Sequence, residues 1–123
     1  MTRCAHTTAE NLHLTKVAAL GCLCCLVDGR PYTPANIHHI REGYGMGQRA
    51  SHFEVLPLCK GHHQGDDDRT KVAFHQSPEG WRRQYGSEIE QVRLINRFIV
   101  QLDAQQPLWW EFAPEVLGGE ISV

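Results

Sequence analysis

The sequence predicts a small α+β domain in which two short strands and a cysteine–histidine knuckle lie between helices at both ends. Three observations carry this prediction: helix signals at each end, two short apolar runs between them, and two pairs of metal-ligand residues. At 123 residues the chain has the length of about one domain. We expect a single domain over 1–123, with a core over about 18–86, a helix over about 87–105 and an aromatic tail over 107–123. The tail either packs back on the domain or presents an aromatic patch to a partner.

The first helix is predicted by a capping box. Thr7 and Glu10 can satisfy each other's backbone N–H groups, and Gly21 is a natural helix end. Residues 22–34 contain an Asp-Gly pair and two prolines, which favour a turn-rich knuckle. We therefore expect a helix followed directly by a compact, irregular segment.

Two short apolar runs are strand candidates, at 36–40 and 53–58. Three glycines lie between them, at Gly43, Gly45 and Gly47, and indicate a loop. The two runs could therefore pair as an antiparallel ribbon.

Two helices are predicted after the ribbon. The aspartates of 66–68 indicate a solvated turn, and Ser77 before a proline starts a short helix that Gly86 ends. Ser87 opens a second capping box and the clearest helix of the chain, which Pro107 ends. Its apolar residues recur at helical spacing.

The composition excludes several classes of protein. With 41% hydrophobic residues and a net charge of −2, the chain is neither a disordered polyelectrolyte nor a strong non-specific nucleic-acid binder. Any contact with DNA therefore needs a local basic patch or a loading protein. The longest apolar run, Val17–Val27, is shorter than the ~18 residues of a membrane span and begins too deep in the chain to lead a signal peptide. We expect no export and no membrane partner.

The cysteines favour metal binding over disulfides. There are five, three of them within four residues, and eight histidines accompany them. Cys22-x-x-Cys25 and Cys59-x-x-His62 each fit a tight turn that points two ligands at one ion, and four such ligands close a tetrahedral structural zinc site. The alternative is that these are buried small apolar residues. Reduced thiols predict a cytoplasmic protein.

A second set of histidines comprises His38, His39, His63 and His75. Successive strand residues point to opposite faces, so His38 and His39 are expected to do different work. One can ligate a metal ion while the other takes a proton, and neutral imidazole suits both tasks.

The order of these motifs resembles that of HNH endonucleases with a ββα-metal core. The stretch His38–Phe53 (HHIREGYGMGQRASHF), followed by Pro57-Leu58-Cys59 and His62-His63, more closely resembles the recombination-enhancing (Ref) nucleases of phages and prophages. The resemblance covers roughly residues 18–95. It implies an HNH endodeoxyribonuclease that hydrolyses phosphodiester bonds in DNA, acts with a RecA filament and works in the bacterial host cytoplasm.

The resemblance also implies roles for the histidines. His39 would be the general base that activates water. His38 would ligate the catalytic divalent ion, with His63 at the start of the short α element as second ligand and His75 as third. The identity of that ion stays open between Mg²⁺, Mn²⁺ and Zn²⁺.

The sequence departs from the HNH pattern because no Asn lies between His39 and His63. The base must then be oriented by another group. The candidates are Ser51, His52, Glu54 or a backbone carbonyl, and we favour His52, which shares a predicted strand face with Glu54 and belongs to the family-like stretch.

Phosphate contacts are expected from Arg41 and Arg49, with Arg82 and Arg83 as further candidates. A second hypothesis is a catalytically degenerate, zinc-stapled module that binds DNA or protein. The absent Asn and the acidic net charge favour it, whereas the adjacent pair His38-His39 favours the enzyme, because a structural zinc module has no need of it.

Overall fold

A computed structural model describes residues 7–41, 43 and 50–111 of the chain. The described elements form a mixed domain of short helices and one two-stranded sheet, which confirms the predicted α+β class. In chain order they are α1 (Thr8–Leu20), α2 (Leu23–Val27), β1 (Asn36–His39), β2 (Val55–Leu58), α3 (Lys60–His63), α4 (Pro78–Tyr85), α5 (Glu88–Gln105) and a 3₁₀ turn (Trp109–Glu111).

Helix α1 begins and ends where the sequence predicts. The Thr7 side chain accepts from the Glu10 backbone N–H, the Glu10 carboxylate accepts from Thr7 N–H, and Gly21 follows the last turn. Gly21 has φ +78°, and a Cβ there would lie 2.7 Å from the Tyr32 ring, so both the backbone and the packing require glycine.

The knuckle after α1 is more regular than predicted. Leu23–Val27 is helical, because Cys22 acts as N-cap and its sulfur accepts from the Cys25 backbone N–H at 3.5 Å. The turn-rich expectation was wrong for this segment and overlooked a cysteine as a helix cap.

The ribbon pairs as predicted. Strands β1 and β2 are antiparallel, with His38 opposite Leu56 and His39 opposite Val55. Strand β2 begins two residues later than predicted, because Glu54 N–H bonds to the Ser51 carbonyl and closes a turn. The prediction that His52 and Glu54 share a strand face was therefore wrong.

Helices α4 and α5 complete the core. Ser87 and Glu90 form the predicted capping box, whereas the Ser77 side chain makes no cap bond. Helix α5 buries Val92, Ile95 and Ile99 in a core shared with α1, α2 and both strands. Burial of these apolar side chains stabilises the domain.

The helical stretch Thr8–Val27 is long and apolar enough to cross a membrane by length and composition, but 50% of that window is buried within the domain. Its buried members Leu14, Val17 and Ala18 belong to the core. At the other end, Trp109 Nε1 donates to Asp103 on α5 at 2.9 Å, so the described part of the tail packs back on the domain.

Candidate metal centres

Among the described residues, two groups of side chains could each hold a metal ion. The first group, called here the closed cluster, is fully buried and consists of Cys22, Cys25, Cys59 and His62. The second, called the open cluster, consists of three histidines and reaches the surface.

The closed cluster repeats one local geometry twice. Cys22 is the N-cap of α2 and Cys25 lies three residues later; Cys59 is the N-cap of α3 and His62 lies three residues later. Because an N-cap and the third helical residue lie on the same side of the first turn, each pair points both ligands the same way. The core then brings the starts of the two helices together.

The distances within the closed cluster fit a tetrahedral zinc site. The Sγ atoms of Cys25 and Cys59 are 3.8 Å apart, and His62 Nδ1 lies 3.4 Å from Cys22, 3.6 Å from Cys25 and 3.3 Å from Cys59. Zinc–ligand bond lengths in a tetrahedron place two sulfurs about 3.8 Å apart and a sulfur and a nitrogen about 3.6 Å apart. The predicted ligand set is therefore compatible with zinc.

The other side of the His62 ring is supported by polar groups. Asp28 Oδ2 lies 3.5 Å from His62 Nε2, and the Tyr85 hydroxyl donates to the same oxygen at 2.8 Å. A carboxylate behind a histidine fixes its ring and tautomer for metal binding through the other nitrogen. On the sulfur side, Lys71 Nζ lies 3.6 Å from Cys59 Sγ and brings positive charge to a thiolate-rich site.

Without a metal ion, the thiols of the closed cluster resist ionisation. A hydrogen bond with Cys24, together with burial, raises the pKa of Cys22 to about 12. Burial raises the pKa of Cys25, and a hydrogen bond with Cys22 raises the pKa of Cys59. Metal binding must therefore displace protons from these thiols.

The open cluster brings together three imidazoles from three parts of the chain: His38 on β1, His63 on α3 and His75 in the segment before α4. One ring nitrogen from each lies within 4.8 Å of the others, and Nε2 of His63 is 3.0 Å from Nε2 of His75. His38 is buried, His63 is half-buried and His75 is exposed. An ion held here would be reachable from solvent.

Backbone pairing explains how His75 reaches the cluster despite its sequence distance from His63. The backbone N–H of His75 donates to the His63 carbonyl at 2.9 Å, and Phe74 N–H donates to the His62 carbonyl at 2.8 Å. His63 is the last residue of α3, not at its start as predicted, because the helix begins after its N-cap Cys59.

Two histidines of the open cluster, His63 and His75, are held neutral. Burial, with His38 and His75 nearby, lowers the pKa of His63 to about 4. Burial also lowers the pKa of His75. At neutral pH both rings therefore keep a lone pair for a metal ion.

His39 lies apart from the open cluster and contacts His52. Its Nε2 is 2.9 Å from His52 Nδ1, and His52 lies in the turn before β2. The two adjacent histidines of β1 thus meet different partners, as strand geometry requires.

The family model for recombination enhancement, RecA-dependent nuclease, matches residues 6–96, about three quarters of the chain. This chain belongs to that family. No curated protein and no solved structure matches it. Membership supports a nuclease function linked to recombination and points to DNA as substrate, and the histidines and cysteines described above all lie within the matched range.

The predicted phosphate contacts of this nuclease-family chain fall in different places. Arg41 is exposed where β1 ends, and Arg83 is exposed on α4. Arg82 instead has Nη2 3.4 Å from Glu88 and lies over the Phe74 ring. Arg49 lies outside the described residues.

Sequence reasoning missed Glu88. It is the first residue of α5 and fully buried, and its carboxylate bonds to His38 at 2.8 Å. An acidic residue in the first turn of a helix is common, so Glu88 did not stand out in the sequence. The one signal that could have indicated it is that the capping box uses Glu90 and leaves Glu88 without a capping role.

Proposed function

We propose that the protein is a cytoplasmic, metal-dependent DNA endonuclease of HNH (ββα-metal) type, acting on DNA engaged by a RecA filament. Family membership supports the nuclease activity. The observation that carries the mechanism is the divergence of two neighbouring side chains: His38 points into the open cluster, while His39 contacts His52. One strand then supplies both a metal ligand and a proton acceptor.

The open cluster would hold the catalytic ion through His38, His63 and His75. Three imidazoles suit zinc and similar borderline ions better than Mg²⁺, which prefers oxygen ligands. The bound ion would polarise the scissile phosphate and stabilise the leaving oxygen. Exposure of His75 leaves one side open to a phosphate from solvent.

His39 acts as general base in this proposal. It takes a proton from the attacking water, which a neutral imidazole does well near neutral pH. The contact with His52 Nδ1 can hold the His39 ring in place, since one ring donates and the other accepts. His52 would thus do the work of the middle Asn of HNH motifs.

The closed cluster serves the active site indirectly. Zinc on His62 would anchor α3, and the next residue on that helix is His63 of the open cluster. A rigid supporting shell keeps catalytic ligands within the narrow tolerance that catalysis needs. Arg41, Arg49 and Arg83 are proposed to meet the DNA backbone around this site.

The test is cleavage of a D-loop DNA by protein with zinc in the closed cluster, assayed with Zn²⁺, Mn²⁺ or Mg²⁺ and with or without RecA. His39→Ala should lose at least 100-fold in rate, the contribution typical of a general base. Its zinc content and thermal unfolding should match the wild type, which separates lost chemistry from lost fold. Retained cleavage in His39→Ala would exclude His39 as the base.

The RecA arm separates two forms of the proposal. Cutting only with RecA supports a filament-dependent nuclease, and equal cutting without it rejects that dependence while keeping the endonuclease. The second candidate is the degenerate zinc-stapled binding module, favoured by the absent Asn and the net charge of −2. DNA binding without cleavage, with both clusters loaded, supports that module instead.

A further inference from the structure

Glu88 connects three parts of the molecule from a fully buried position. Its Oε2 lies 2.8 Å from His38 Nε2 and accepts from the Arg41 backbone N–H at 3.0 Å. Its Oε1 lies 3.4 Å from Arg82 Nη2. The exposed fraction of Glu88 is 0% and that of His38 is 2%.

Capping of the N-terminus of α5 does not explain why Glu88 is buried. Ser87 and Glu90 already form a complete capping box at the start of α5, and Glu90 is exposed. A buried carboxylate is costly unless it is paired and hydrogen-bonded, and the Arg82 contact is long and partly exposed, with 36% of that side chain accessible. Within the described part of the chain, the carboxylate lies nearest to the imidazole of His38, at 2.8 Å.

We propose that Glu88 is a positioning residue for metal binding in the open cluster, an inference that rests on the proposed catalytic ion. The carboxylate accepts a hydrogen bond from His38 Nε2–H, which leaves the lone pair of His38 on Nδ1 for the ion. It also fixes the plane of the ring. A carboxylate behind a ligating histidine typically changes metal affinity 10–100-fold.

The charge of Glu88 fits the same role. An ion bound by His38 would bring positive charge toward this buried carboxylate, whose contact with Arg82 is 3.4 Å long. The same carboxylate oxygen also accepts a hydrogen bond from the backbone N–H of Arg41, two residues after β1 ends. One carboxylate therefore contacts both a proposed metal ligand and the backbone that follows the strand.

The first experiment measures Co²⁺ affinity at the open cluster by absorption, in protein whose closed cluster already holds zinc. Glu88→Gln keeps the size of the side chain and removes its charge, and it should weaken Co²⁺ binding 10–100-fold with zinc content unchanged. Glu90→Gln is the matched control from the same helical turn and should bind like the wild type. The absorption that is lost in His63→Ala identifies the Co²⁺ signal of the open cluster.

The second measurement is the ¹⁵N NMR signature of the His38 ring without Co²⁺. The wild type should show one tautomer protonated on Nε2, whereas Glu88→Gln should show a mixture or the other tautomer. A merely structural carboxylate would affect unfolding but not this signature. If Glu88→Gln does not fold, the same two measurements are made on Glu88→Asp. This variant keeps the negative charge near Arg82, but its shorter side chain lengthens the distance between the carboxylate and His38.

The outcomes are distinct. Wild-type Co²⁺ affinity and an unchanged tautomer in a folded Glu88 variant overturn this inference while the catalytic ion stands. A wild type that binds no more Co²⁺ than His63→Ala overturns the proposed ion. In that case the tautomer measurement still shows whether Glu88 sets the His38 ring.

Discussion

The closed and open clusters lie next to each other but differ in every property that matters for a metal site. The closed cluster has three sulfurs and one nitrogen, all buried, and the open cluster has three nitrogens and an exposed member. His62 and His63 are sequence neighbours on α3, yet each belongs to a different cluster. Four buried ligands leave no position for a substrate, whereas three ligands with one exposed member leave one. The same short helix therefore contributes one histidine to each cluster.

The largest expected effect comes from removing a ligand of the closed cluster. Cys59→Ala should leave the protein unfolded or insoluble, because a structural zinc contributes roughly 10 kcal/mol, comparable with the whole stability of a small domain. Cys24→Ala is the matched control: this thiol is fully buried and contacts Cys22, but it is not one of the four candidate ligands. Zinc content and circular dichroism check both variants, and a folded, zinc-replete Cys59→Ala would refute the structural site.

The next prediction separates the two neighbouring histidines of α3. His62→Ala removes a ligand of the closed cluster, as Cys59→Ala does, and should likewise lose zinc and stability. His63→Ala should keep both and reduce DNA cleavage by at least 100-fold, since it removes a ligand of the proposed catalytic ion. Differential scanning calorimetry and a cleavage assay on both variants give the comparison. Similar losses of stability in the two variants would contradict the division into two clusters.

A smaller effect is expected behind the closed cluster. Asp28→Asn should weaken zinc binding 10–100-fold without unfolding the zinc-loaded protein, because it removes the charge 3.5 Å from His62 Nε2. Competition with a chelator measures the affinity. Asp67→Asn, on an exposed loop, serves as control and should have no effect.

The finest distinction is the number of protons released on metal binding at pH 7. Since the pKa values of Cys22, Cys25 and Cys59 are raised, the closed cluster should release about three protons per zinc ion. The open cluster should release fewer protons, because the pKa values of His63 and His75 are lowered and both of these rings are already neutral. Affinity at the closed cluster should therefore fall more steeply as pH drops from 8 to 6. Calorimetry in buffers of different ionisation enthalpy counts the protons, and equal counts would contradict this assignment.

Local signals in the sequence were sufficient for the helix ends and the sheet. The capping boxes at Thr7 and Ser87 and the glycine after α1 act through neighbours a few residues away. The exception is α2, where a cysteine acts as N-cap and the pattern of turn residues concealed a helix. The beginning of β2 was misplaced because the Ser51–Glu54 turn depends on one backbone bond.

The ligand pairs of the closed cluster could be predicted because each pair spans one helical turn. The third member of the open cluster could only be suggested, since the backbone bond between His75 and His63 joins residues that no short-range pattern connects. Glu88 could not be predicted as a partner of His38 at all, because they are 50 positions apart and meet only in the packed core.

The sequence by itself determined the helix boundaries set by caps, the two strand segments and the two candidate ligand pairs of the closed cluster, because each depends on residues within a turn or two of one another. Only the tertiary structure decided which histidines share a site, that His39 contacts His52, and that a buried carboxylate lies behind His38. These contacts join residues distant in sequence, and their energies come from burial and charge in a packed interior that no local pattern encodes.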